Sequence, residues 1–200
     1  MKTKFVTTFV ITALVITAYS CKGEKKNEAE ATTAEEVKET PVNAALYKID
    51  EASSTIEWTG AKPAGKHNGT LELLSGSIES KNGMIESGSF VIDMASITVT
   101  DLEGDDKASL EGHLKGEGEG KEDHFFNVAK YPKSVFEITG VSEKEGKTFI
   151  AGNLTIKDTK KNISFPATTS MEGDVMTLET ETFTINRTDW GVNYGSKSVF

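Results

Sequence analysis

From Leu46 onward the chain alternates between apolar and polar positions, the period of half-buried β-strands. Tyr47 and Ile49 alternate, Asp50 to Ser54 turns, and Ile56 and Trp58 alternate again. Lys62 to Gly69 (KPAGKHNG) is a run of strand breakers. Thr70 to Ser80 and Met84 to Met94 read as two strands joined by an Asn-Gly hairpin turn at Lys81-Asn82-Gly83, with Phe90, Ile92 and Met94 on one face. The alternation then stops from Asp101 to Pro132. Leu102, Asp106, Leu110 and Leu114 stand at i, i+4 spacing and predict a short helix from about Asp105 to Lys115. A glycine-acid loop, the aromatic pair Phe125-Phe126 and the dipeptide Tyr131-Pro132 follow it.

Alternation resumes in Val135 to Ser142 and Thr148 to Lys157, a hairpin around Glu145-Gly146. Phe136 and Ile138 share a face there, as do Ile150, Gly152, Leu154 and Ile156. Lys161 to Glu172 aligns Ile163, Phe165 and Ala167 and turns at Gly173-Asp174. Val175 to Asn186 is the last clear strand. Its parity changes from Met176 and Leu178 to Phe183 and Ile185, which predicts a bulge near Glu179 to Thr182. Short strands with tight turns and one helical plug between two strand groups predict an all-β antiparallel barrel or sandwich.

The first 44 residues follow other rules. Lys2 and Lys4 precede an apolar run from Phe5 to Ala18, with Ser20 just before Cys21, the layout of a secretory signal peptide. Cys21 is the single cysteine, which excludes an intramolecular disulfide and reads as the lipid-modified first residue of an exported lipoprotein. Lys22 to Ala44 has no aromatic residue and mixes charge with Thr, Ala and Pro41, so a disordered tether is expected. The division is therefore 1–20 signal peptide, 21–44 lipidated N-terminus and tether, and 45–200 folded domain. The protein is expected to be exported to the cell envelope and anchored there through Cys21.

Charge narrows the partners. The chain has 22 basic and 31 acidic side chains, net −9. With Lys2 and Lys4 removed, 20 basic against 31 acidic leave −11, a balance that opposes nucleic acid and anionic lipid surfaces alike. His67, His113 and His124 have no i, i+2 or i, i+4 partner, so no metal site is expected. Asp101, Glu103, Asp105 and Asp106 lack the Gly and the closing acid of a calcium loop and read as a solvated acidic loop. Gly140 to Thr148 lies between strands and is no phosphate loop. Arg187, the single arginine, reads either as a fork for a ligand head group or as a structural pair with a carboxylate.

Four stretches in fixed order carry a resemblance: YKID…STIEWTG, GHL…FFNVAKYPKSVFEIT, GNLTIKDTKKNISFPA and FTINRTDWG. Together they resemble the YceI-like family over about Leu46 to Phe200. The resemblance implies an eight-stranded antiparallel, lipocalin-like barrel that holds a polyisoprenoid or quinone-type lipid in an apolar tunnel, without catalysis or cofactor. The expected lining is Trp58, Phe90, Ile92, Phe136, Ile138, Leu154, Phe165 and Phe183. Two rival readings stay open: a structural surface module in which these side chains fill the core, and a metal-dependent envelope enzyme using His67 and His113. Gly116 to Asp123 stands as an insertion against the family pattern. Val199 and Phe200 begin what is a further strand in family members, so the expectation is a barrel short of that strand, with an edge along which a homodimer would pair.

Overall fold

The structure is a computed structural model that describes residues 28–38, 42–62 and 65–196. The expected signal peptide and Cys21, and Val199 and Phe200 where a further strand was expected to begin, lie outside the described residues. Among the described residues nine strands and one α-helix follow in order, β1 Thr32–Thr33, β2 Ala45–Lys48, β3 Thr55–Lys62, β4 Gly65–Lys81, β5 Met84–Val99, α1 Gly104–Lys115, β6 Lys133–Lys144, β7 Lys147–Ile156, β8 Thr159–Glu172 and β9 Val175–Thr180, and a 3-10 turn at Arg187–Trp190 closes the run.

All of the strand pairs are antiparallel, and the sheet runs β1-β8-β7-β6-β5-β4-β2. β2 and β3 both lie on the same side of β4, paired with Ser77–Ser80 and Gly65–Glu72 in turn, so they make one interrupted edge. β1 and β9 share the free side of β8 in the same way. The barrel architecture was expected from eight strands; nine are present because short pieces share lanes. Among the described residues no ladder joins the two ends of the order.

The tight turns are those the sequence requires. Asn82-Gly83 and Glu145-Gly146 have positive φ at both central positions (54° and 78°, 53° and 74°), the turn that matches strand twist in a two-residue hairpin. The expected last strand divides where its parity changes. β9 stops at Thr180, the Glu181 N–H bonds to Pro166 O at 3.0 Å, and 181–186 continue outside the ladder.

Helix α1 ends at Gly116 (φ 80°), whose left-handed backbone lets its N–H and that of Glu117 cap the carbonyls of His113 and Gly112. The Glu111 carboxylate accepts the Val99 N–H at 2.8 Å and docks the helix on β5. Leu114 is buried with Ile97 and Val99, while Leu102 and Leu110 pack on the same group.

The tether is where the structure departs most from expectation. Residues 28–38 are not a disordered linker. Ala29 is buried at 5% exposure, its N–H bonds to Thr184 O at 2.9 Å, and Thr32 and Thr33 pair with Asn162 and Lys161. Further along, the Asn153 side chain clasps the Glu35 backbone twice: Oδ1 accepts Glu35 N–H at 2.9 Å and Nδ2 donates to Glu35 O at 2.7 Å. Asn162 Nδ2 completes the network, donating to Asn153 Oδ1 at 3.1 Å and Thr139 Oγ1 at 2.9 Å. An amide side chain presents the same donor and acceptor as a peptide group, so Asn153 acts as a one-residue extension of the ladder.

Candidate functional site

Inward side chains of β6, β7 and β8 build the largest apolar group. Of the expected lining, Phe136, Ile138 and Phe165 are buried in it, and Phe90, Leu154 and Phe183 pack against it. Phe136 and Phe165 stand 5.4 Å apart between ring centroids, and Phe165 stacks on Phe183 at 4.3 Å and 4°. Gly152 makes room for this row: a Cβ there would lie 2.3 Å from Phe136 Cζ. Trp190, 1% exposed, closes the group, its indole N–H donating to Leu154 O at 2.9 Å.

Two expected lining residues go elsewhere. Trp58 lies on β3, opposite Gly69 of β4, and packs with Ile97, Val99 and Leu114 instead of the main group. Ile92 is buried but belongs to neither group. The two groups are nevertheless continuous, because Phe125 and Phe126 pack against both. The interior thus holds one connected apolar region. A pocket of about 100 Å³ opens at the surface beside Glu28, Ala29, Lys147, Ser164 and Phe183. Another of about 320 Å³ lies beside α1, lined by His113, Glu117 and Lys121 among others.

The polar candidates sort themselves by geometry. Arg187 finds backbone carbonyls rather than a carboxylate: its guanidinium donates to Val192 O and Tyr194 O and lies 5.2 Å over the Phe125 ring. It therefore ties the segment after Trp190 to the aromatic plug. Sequence spacing gave no sign that His113 and His124 would meet, yet His113 Nε2 lies 2.9 Å from His124 Nδ1. Tyr194 stacks on His124 at 4.1 Å, and Phe125 stands edge-on to His113 at 5.1 Å. Burial first, and then the neighbouring His124 and Lys121, push the His113 pKa below its ordinary value.

His67 is paired elsewhere, with Asp101 at 2.9 Å. The Asn68 N–H and then His67 hold the Asp101 carboxyl below the usual carboxylate range. Asp105 and Asp106 lie in the first turn of α1 and Glu103 at its N-cap, so the acidic run is dispersed along a strand end and a helix. Among the described residues no three His, Cys, Asp or Glu side chains come together as metal ligands. The residues missed by pattern reading, Trp190, Asn153 and Asn162, carry contacts across more than thirty residues or into the N-terminal segment, for which local periodicity holds no signal.

With this geometry in view, comparison with known proteins places the chain. The model of the YceI-like domain matches residues 47–200. The chain belongs to the YceI-like family. This YceI-like domain shares 20% identity with BcnA of Burkholderia cenocepacia, over 71% of each chain, at a TM-score of 0.45. It shares 16% with the Campylobacter jejuni YCEI protein, over 84% of this chain and 81% of that one, also at 0.45. No match is found among curated proteins. The family assignment rests on the family model. The matched span begins at Tyr47, so the clasped segment 28–38 lies ahead of the family domain.

Proposed function

We propose that this YceI-like domain is a non-catalytic binder of a long apolar lipid, of the polyisoprenoid or quinone type, in its interior, and that it is held at the cell envelope through an acylated Cys21. The observation that carries the reading is the connected apolar region, from the Phe136–Phe165–Phe183 row through Phe125 and Phe126 to the group beneath α1. Membership of a family whose resemblance implies lipid binding supports it. The mechanism is burial. Each methylene moved from water into the interior contributes roughly 0.8 kcal/mol before ordering is charged against it. A chain of many isoprene units therefore needs no strong polar contact, and the fixed engagement of Arg187 with carbonyls fits a site without a head-group fork.

A structural module with a filled core is the rival, favoured by the ring-on-ring contact at 4.3 Å. Native mass spectrometry of purified protein, followed by uptake of a fluorescent polyisoprenoid, separates the two. A co-purifying lipid and saturable uptake are expected. Leu154→Asp and Phe183→Asp, at half-buried margins of the apolar group, place an unpaired charge on the lipid's path and should abolish uptake. Absence of both lipid and uptake would favour the filled core, and a folded variant that takes up the probe as well as the unaltered protein would overturn binding in the interior.

A further inference from the structure

Resting on the lipid-binding reading above, the geometry points to residues 28–33 as a lateral gate through which the lipid enters. This segment is a wedge. One side pairs with β8, through Thr32–Asn162 and Thr33–Lys161, and the other bridges Thr184, through Glu28 and the Ala29 N–H. It thus fills the gap between β8 and the chain that follows β9.

Its hold on the interior is slight. Ala29 and Ala31 are what it packs against the apolar group, two methyls. Its neighbours across the gap supply Ile163 and Phe165 on one side, Phe183 and Ile185 on the other. A pocket of about 100 Å³ lies beside this segment, between Glu28 and Ala29 and the Ser164 and Phe183 side chains. A segment with few apolar contacts and a short ladder is where local opening needs least free energy.

The wedge also has a fixed point to swing from. Asn153 grips both the N–H and the C=O of Glu35, so 28–33 can leave the sheet while the chain stays attached two residues on. Displacement of the wedge uncovers the stacked Phe165 and Phe183 directly. The other end of the interior is held more firmly. There Leu114 is buried, Phe126 N–H and Val128 N–H bond to Leu114 O and Lys115 O at 3.1 and 2.9 Å, and Arg187 ties Phe125 to Tyr194.

Thr33 and Lys161 are direct antiparallel partners, a placement within disulfide reach. In the Cys21→Ser background, Thr33→Cys with Lys161→Cys locks the wedge when oxidised and frees it when reduced. Stopped-flow uptake of a fluorescent polyisoprenoid should slow at least tenfold on oxidation and recover on reduction, with equilibrium affinity unchanged. Equal rates in the two states, with binding intact, would overturn the gate while leaving the lipid reading standing. Absence of binding in oxidised, reduced and unaltered protein alike would sink both. Hydrogen exchange reads the motion without lipid: the Ala29 amide should exchange at least tenfold faster than the Glu35 amide, and the reverse order overturns the gate.

Discussion

A hydrogen bond between two imidazoles needs one ring to accept, so the His113–His124 contact at 2.9 Å excludes the doubly charged state. Burial and the adjacent His124 and Lys121 lower the His113 pKa in the folded protein. The unfolded chain regains the ordinary value near 6.5 and binds the proton more readily. The stabilisation is therefore fully present above that value and is lost as pH falls from it through the lower folded value. Melting temperature should drop more between about pH 7.5 and 5 in the unaltered protein than in His113→Asn. Parallel profiles would remove His113 as the source. Packing makes a second residue-scale prediction at Gly152. Its missing Cβ is the space of the Phe136 ring, so Gly152→Ala should destabilise the fold by about 1–3 kcal/mol in urea unfolding. The alternation pattern put Gly152 on the inward face, but its reason for being glycine lies in a ring on the next strand. The histidine pair was illegible for a related reason: α1 ends at Lys115, and the pair forms when the loop after Gly116 folds back on the helix, so no single element's period joins them.

At the scale of elements, strands and helix were legible because each carries its own period. The helix from Gly104 to Lys115 differs by one residue from its predicted start, and three hairpin turns fall where Gly marks them. The N-terminal segment was misread because its own composition was the wrong quantity. Glu28 to Lys38 has little apolar surface, and composition alone predicts disorder. What orders it is supplied by the sheet: a free side of β8, and buried Asn153 and Asn162 that need partners. An unpaired amide in that position is unfavourable, and the segment satisfies it. Asn153→Ala should accordingly lower stability by about 1–3 kcal/mol and open 28–38 to limited proteolysis ahead of the rest of the domain. Cleavage no faster than in the unaltered protein would show that the clasp is dispensable.

For the whole molecule, the clasp changes what an anchor at Cys21 would do. A disordered run to residue 44 would let the domain wander tens of ångströms from the bilayer. With Glu28 bound to the sheet, seven backbone steps separate it from Cys21, at most roughly 25 Å of chain. Such an anchor would keep the wedge and the Phe183 margin facing the membrane from which a lipid would come. Nothing else in the composition favours attachment. The folded part lies in a strongly acidic chain, which repels anionic head groups, and no helix among the described residues is long and apolar enough to cross a bilayer. Cys21→Ser should therefore move the protein from the membrane to the soluble fraction after cell breakage. Retention in the membrane fraction, resistant to high salt, would show a second attachment and remove the anchor from the proposed mechanism.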